Sequence, residues 1–330
     1  MKSFNVILGV DVSKLTLDIC CAERNLHVKI DNCSKGFCVL KKWCKTSSIN
    51  LEETLIVLEF TGGYEYRFLQ FCESLSISYC RVPGLQIKKS LGMIRGKSDQ
   101  ADAFRIGEYG EEKIKKLTPS NPVDKNILEL KQLLSFRKRL VREKAGLEST
   151  VKERKHMYPQ KKADKITHIA RAKIKSDEQH IRQIEQQIIE VIKSNEDMWL
   201  NYRIITSIKG IGKINAWMTI AYTENFTSFT DPRKYGVYVG VIPFGHTSGT
   251  SIKKRDKVSH LANKALKSEL NQAARAAIAH DPEIAAYAER KLKNKEYRLV
   301  LNNVKFKLIL RMFSLVKRGK MYVENYQRAA

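Results

Sequence analysis

Leu133, Leu140 and Leu147 recur every seven residues through one charged, helix-favouring stretch, and Ile174, Ile181 and Ile188 do the same through a second. Ile184 and Val191 fill the alternate position of the second repeat. Apolar residues at this period form the seam of a coiled coil. Between the two stretches, Pro159 in "MYPQKKADK" lacks an amide hydrogen and clashes with the preceding turn, so the helix stops there. The repeats therefore predict an antiparallel helical hairpin over residues 121–198, a spacer or dimerisation arm. It divides the chain into an N-terminal region, 1–120, and a C-terminal region, 199–330, with Pro119 and Pro122 at the first boundary.

The N-terminal region alternates strand-like and helix-like segments. "FNVILGVDV" ends at Asp11, and "KLTLDICCA" and "LHVKID" follow with β-type apolar content. A helical stretch, "KGFCVLKKWCK", precedes the buried strand "TLIVLEFTGG", which carries Glu59 near its end. A second helix, the strand "ISYCRVP" and a helix over 93–110 complete the set. Three strands, helix, strand, helix, strand, helix is the order of the ribonuclease H-like α/β fold. The expected class is α/β plus α: a ribonuclease H-like (RuvC-like) domain, the coiled-coil hairpin, then a mostly helical C-terminal domain.

The balance of 60 Lys and Arg against 35 Asp and Glu leaves a net charge of +25. Such an excess points to a polyanion, because displacing counterions from phosphates favours basic surfaces whatever the base sequence. No apolar run approaches the roughly 18 to 20 residues of a spanning helix, and the N-terminus has no secretory signal pattern. A soluble, cytoplasmic, nucleoid-associated protein is expected, with no membrane partner. The seven cysteines form no Cys-x-x-Cys pair, and an odd count in a long chain argues against a disulfide framework and a zinc site.

Asp99 and Asp102, three residues apart in "GKSDQADAFR", share one helix face and repel unless a positive charge lies between them. Lys97 and Arg105 can neutralise both as a surface salt-bridge face. Alternatively, in a ribonuclease H-like sheet Asp11 and Glu59 sit at neighbouring strand ends under the last helix. Asp11, Glu59, Asp99 and Asp102 would then form one pocket of hard oxygen donors for Mg²⁺ or Mn²⁺. Asp18, Glu52, Glu53 and Glu65 fall at no such strand end and read as surface acids. In the C-terminal region, "IKGIGKINA" reads as a helix-hairpin-helix-like element. Its Gly210 and Gly212 would admit a DNA phosphate to backbone amides, flanked by Lys209 and Lys213. "PFGHTSGTS" reads as a glycine-flanked, hydroxyl-rich loop between a strand-like stretch and the basic run Lys253, Lys254 and Arg255.

"GVDVSK", "LEFTGGY" and "GKSDQADA", followed by "IKGIGKINA", "YVGVIPFGHTSG" and "HDPEIAAYAERK", resemble in order the motifs of the DEDD transposases of insertion sequences. This is the Piv-like insertion-sequence "one-ten" family of bridge-RNA-guided serine recombinases. The resemblance spans nearly the whole chain. It implies a nucleophile at Ser248 that attacks a DNA phosphodiester and holds the strand as a phosphoserine. The same resemblance implies a metal cluster at Asp11, Glu59, Asp99 and Asp102, a structured RNA that pairs with donor and target DNA, and a homo-oligomer (dimer or tetramer) whose subunits share sites. His246, two residues from Ser248 in an extended loop, is expected to point away from it. The stretch "SHLANKALKSEL" departs from the glycine- and arginine-rich family pattern, with Lys264 and Lys267 able to supply charge without the bidentate geometry of arginine. Competing readings are a hydrolytic RuvC-like nuclease or junction resolvase, a Piv-type invertase that needs no RNA, and a catalytically silent nucleic-acid-binding protein.

Overall fold

The computed structural model describes residues 4–90, 98–122, 124–159, 164–248 and 252–324. The chain forms two compact units, Met1–Val123 and Asp124–Ala330. In the first, strands β1 (Val6–Val12), β2 (Thr16–Cys21) and β3 (Leu26–Asp31) precede helix α1 (Ser34–Thr46). Then come β4 (Thr54–Glu59), α2 (Tyr66–Ser74), β5 (Ser78–Val82), α3 (Gly84–Ser90) and α4 (Asp99–Lys113). The sheet order is β3-β2-β1-β4-β5. β1 runs antiparallel to β2 and parallel to β4, which is parallel to β5. This mixed sheet is consistent with a ribonuclease H-like domain, and its elements follow the predicted order with α3 added.

Strand parity decides what each face of the sheet carries. Val6, Leu8, Val10 and Val12 of β1 join Leu17 and Ile19 of β2 and Ile56 and Leu58 of β4 in one core, with Phe37, Leu40, Phe68 and Leu69 of α1 and α2. Ile7, Leu55 and Val57 face the other way, against Ile106 and Tyr109 of α4. Side chains alternate along a strand, so Asp11, Asp18 and Glu59 belong to the α4 face.

Helix α4 can cover that face because glycines remove the side chains that would hold it off. A methyl group built on Gly9 would lie 2.2 Å from the Gly107 amide nitrogen and 2.3 Å from the Ala103 carbonyl oxygen. The Cys20 thiol donates to that same Ala103 carbonyl at 2.8 Å. Ser98 caps the helix, its hydroxyl accepting from the Ala101 amide at 3.2 Å. Asp99 and Asp102 thus occupy the first turn, where exposed amides and the helix dipole favour negative charge.

The second unit is helical apart from one ribbon. α5 (Lys125–Met157) and α6 (Lys165–Lys193) form the hairpin, joined by Arg137–Glu185 at 2.7 Å, Lys144–Glu178 at 3.0 Å and the Arg154–Asp164 pair. Leu140 and Ile188 are buried in the seam, whereas Leu133, Leu147, Ile174 and Ile181 are half-buried. At its base, Ile127, Leu130, Ile188 and Ile192 enter a core around Trp217 and Tyr235. That core is built by α7 (Glu196–Thr206), α8 (Lys213–Thr223), α9 (Pro232–Val239), α10 (Lys264–His280), α11 (Pro282–Leu292) and α12 (Tyr297–Arg318). The stretch expected to be strand-like before the serine forms no strand: Tyr238 and Val239 end helix α9, and residues 240–242 follow without regular structure. Asp231 accepts from the Arg233 amide, Pro232 opens the first turn, and Gly240 closes the helix in the left-handed conformation at φ 77°. The expected loop after it is a ribbon of β6 (Phe244–Ser248) and antiparallel β7 (Ile252–Lys257). All seven cysteines are free thiols, and among the described residues no helix is long and apolar enough to cross a membrane.

Substituting Gly9→Ala will force α4 off the sheet and destabilise the first unit by about 1–3 kcal/mol or more, the range for overpacking a close contact. Gly146→Ala, in open space on α5, will instead stabilise by roughly 1 kcal/mol through helix propensity. Urea denaturation of the two variants checks both signs, and an unaltered midpoint for Gly9→Ala would refute the packing argument.

Candidate active site

Asp11 is half-buried near the end of β1, directly opposite Asp18 in the β1–β2 register. Glu59 ends the neighbouring strand β4. The absent side chain of Gly84 leaves room for its carboxylate: a methyl group there would lie 1.7 Å from Glu59 Oε1. Burial, followed by the charges of Asp99, Asp102, Asp18 and Glu59, raises the Asp11 carboxyl to about 6. The four acids expected from the sequence therefore act on one another at one end of the sheet.

Asp18 is a fifth acid there, and it overturns its reading as a surface residue. Its side chain is buried, its Oδ1 lies 2.9 Å from His27 Nε2, and Lys29 Nζ is 3.2 Å from Oδ2. Lys29 is Asp18's register partner on β3 and also reaches Asp99 at 3.8 Å. The signal was present in the pattern: Leu17, Ile19 and Cys21 fill the opposite core face, so position 18 shares the face of Asp11. Glu65 is likewise buried rather than on the surface. Burial alone would push its carboxyl up, but donation from Thr61, Gly63 and Arg81 outweighs this and holds it low. It braces the turn after Glu59. Glu52 and Glu53 are exposed, as expected.

The expected cations are arranged differently from one another. Arg105 donates to Asp102 Oδ1 at 2.6 Å, while Lys97 lies outside the described residues. Lys209 pairs with Glu324, and Lys213 pairs with Glu185 at 2.6 Å. Gly210, at φ +89°, presses on α10, where a methyl group would meet the Ala273 carbonyl oxygen at 2.6 Å. Gly212 caps α8 with open space around it. Ser248 is the last residue of β6 and pairs with Ile252, Lys253 pairs with Thr247, and Lys254 with His246. Arg255 follows on β7. The side chain of His246 lies outside the described residues.

Among the described residues no three His, Cys, Asp or Glu side chains already converge on a point that would hold an ion. Asp102 pairs with Arg105 and Asp99 lies toward Lys29. The donor set itself, hard carboxylate oxygens with a surplus of negative charge on Asp11, fits a divalent ion of the Mg²⁺ type. Because Asp11 holds its proton to about pH 6 rather than 3.8, the folded state binds more protons than the unfolded one between those values. Its stability therefore falls as pH rises through that window. Asp11→Asn will raise the melting temperature relative to wild type at pH 7.5 without divalent ions, leave it unchanged at pH 3.5, and lose any increment on adding Mg²⁺. Thermal melts at the two pH values, with and without Mg²⁺, check this; equal melting temperatures at pH 7.5 would contradict the cluster.

Two family models match this chain. A DEDD transposase model of the IS110 type covers residues 8–154, and the transposase IS116/IS110/IS902 family model covers residues 202–289. The first interval contains all five acids and the second contains Ser248. The chain is 28% identical over 270 residues to a pilin gene-inverting protein of Moraxella lacunata, spanning 80% of each chain. It is 27% identical over 268 residues to the pilin gene-inverting protein of Moraxella bovis, again over 80% of each. The two models are consecutive parts of one family's pattern and together match well over half of the residues, so the chain belongs to the IS110/IS116 family of transposases, enzymes that cut and rejoin DNA.

Proposed function

We propose that the chain moves an insertion sequence by cutting and rejoining DNA through a phosphoserine at Ser248, with Asp11, Glu59, Asp99 and Asp102 as the acidic half of the site. The observation that carries this reading is geometric: Asp11 and Glu59 lie near the ends of adjacent parallel strands on the α4 face of the sheet, and Asp99 and Asp102 occupy the first turn of the helix packed over it. Acids gathered around the half-buried Asp11 are destabilising without a counter-charge, and all four lie within residues 8–154, which the DEDD transposase model matches. Bound Mg²⁺ or Mn²⁺ would supply charge stabilisation to the phosphate and to the departing oxygen.

The rest of the chemistry falls to the chain. The Ser248 hydroxyl attacks phosphorus and forms an Oγ–P bond as the bond to a DNA oxygen breaks, and that oxygen leaves with a proton. On rejoining, a DNA hydroxyl displaces Oγ and the serine regains its proton. One phosphodiester replaces another, so no high-energy cofactor is needed. Arg105, which holds Asp102 Oδ1, would also face the DNA phosphate. Ser248 and the acids belong to different units of the chain, so the reading requires both to serve one phosphate, within one copy or between two copies of a homo-oligomer. Lys97, Lys209, Lys213, Lys253, Lys254 and Arg255, with the amides at Gly210 and Gly212, would follow the nucleic-acid backbone. A bridge RNA pairing with donor and target would leave the protein to read backbone and shape. A second reading, inversion of a DNA segment without RNA, is favoured by the names of the two relatives, which are pilin gene-inverting proteins.

The test is denaturing electrophoresis after incubation with labelled element-end DNA, Mg²⁺ and RNA from the native locus. Wild type will give a covalent protein–DNA adduct that Ser248→Ala abolishes. A folded Asp102→Asn will reduce adduct formation by at least about a hundred-fold, the scale set by loss of an electrostatic stabiliser. Strand cleavage equal in wild type and Ser248→Ala, with no adduct, would make the enzyme hydrolytic. Adduct formation unchanged by omitting RNA would select the inversion reading.

A further inference from the structure

Lys305 lies on the core side of α12, between Val304 and Leu308, and is 4% exposed. It has no hydrogen bond or carboxylate partner among the described residues. Its ammonium nitrogen is not among the buried atoms that lack a partner, so the stem is enclosed while the tip still meets solvent. The charged group that acts on it is a second lysine, Lys267 of α10. Burial, and then that like charge, lower the Lys305 ammonium to about 8. An ammonium held largely, though not wholly, out of water beside another cation is costly. Elsewhere in this unit the chain supplies the counter-charge itself: Lys131 has Glu224 at 2.8 Å, and Arg311 has Asp281 at 2.5 Å.

The surroundings locate the two lysines. Asn302, one turn before Lys305, donates to the Val241 carbonyl at 2.6 Å. The next residue, Phe306, borders Gly236, and Gly240 abuts Ala262 and the stem of Lys267. Asn263 donates to the Tyr238 hydroxyl at 3.2 Å and caps the first turn of α10, which contains Lys264 and Lys267. Lys267 therefore borders Gly240, at the start of the short connection from α9 into β6, and Lys305 lies on the turn of α12 between Asn302 and Phe306, which pack against Val241 and Gly236. The N-terminus of α10 and two lysines lie about this connection, and lysine binds phosphate as a point charge.

We propose that Lys305 and Lys267 form a phosphate-binding site at the root of the β6–β7 ribbon, and that it takes a backbone phosphate of a nucleic-acid strand. The identity of the ligand rests on the nucleic-acid reading given under Proposed function. Held there, a strand is pinned beside the connection that leads to Ser248, which sets its register without reading a base.

The test is a salt titration of binding by the full chain, without divalent ions, to a short fluorescent DNA duplex and to a short single-stranded RNA. Lys305→Met and Lys267→Gln will each weaken binding by about ten-fold at fixed salt and reduce the slope of log affinity against log salt by about 1, the mark of one lost phosphate contact. A loss confined to one probe assigns the phosphate to DNA or to RNA. Lys305→Met removes a buried charge, so its melting temperature will equal or exceed that of wild type. Should that variant not fold, the half-exposed Lys267 reads the same slope. A wild type that binds while both variants keep its affinity and slope would overturn this site alone. A wild type that binds neither probe would overturn the nucleic-acid reading, and this site with it.

Discussion

The backbone-to-backbone approach of α4 to β1, through Gly9 and Gly107, is the contact on which the first unit's chemistry rests. At that separation no side chain fits between helix and strand, so the N-terminus of the helix is carried to the end of β1. Three consequences follow from one piece of steric relief. Asp99 and Asp102 come within electrostatic range of Asp11, the amide-rich first turn supports their charge, and the sheet end becomes strongly negative. Gly110 continues the same contact, where a methyl group would meet Ile7 at 2.7 Å and Val57 at 2.9 Å. The acids are not held together by mutual attraction. Packing over the apolar part of the helix forces them together, and hydrophobic burial of Ile106 and Tyr109 offsets their repulsion.

Within that forced cluster, the neutralising cations come from different directions. Arg105 is a local partner three residues from Asp102. Lys29 comes from β3 to Asp18, whose other oxygen meets the His27 imidazole. Asp18 thus stands between the cluster and its nearest supply of positive charge, and a like-charged pair directly opposite on adjacent strands is tolerated because one member is paired. The second unit shows the same economy in its hairpin. Asp177 occupies the alternate seam position seven residues before Ile184, is fully buried, and takes its counter-charge from Lys173 on its own helix. One of its oxygens has no partner. A single buried acid of this kind lowers stability but disfavours seam registers that would seat it against apolar neighbours.

Periodicity made most of the fold readable in advance. The heptads and the order of strands and helices in the first unit follow from apolar spacing, which is local. Asp11, Glu59, Asp99 and Asp102 could be grouped because strand ends and helix turns are also local features. Asp18 was missed by looking only at strand ends, although parity along "TLDICC" places it on the α4 face. Glu65 could not be read, because its partners Thr61, Gly63 and Arg81 meet only once β5 lies beside β4. The strand-like stretch before the serine begins at Tyr238, yet Asp231, Pro232 and Gly240 supply the start and stop of a helix that takes in Tyr238 and Val239, and packing of Tyr235 and Val239 into the core decides in its favour. Glycine and hydroxyl content similarly suggested a loop at 244–251, where pairing with β7 makes Phe244–Ser248 a strand.

A net charge of +25 says that the chain favours polyanions, but it does not say where. The structure separates cations that already have partners from those that do not. Lys209, Lys213, Arg105, Arg137 and Arg154 each engage an acid of the same chain. Such pairs can still exchange an internal carboxylate for a phosphate, but the exchange returns only the difference between two ion pairs. A cation enclosed by apolar side chains and facing another cation is in the opposite position, because any anion that arrives relieves both its desolvation and its repulsion. Selective grip on a backbone phosphate is therefore better sought at enclosed, unpaired ammonium groups than at the lysine-rich surface, where water and salt already supply most of the compensation.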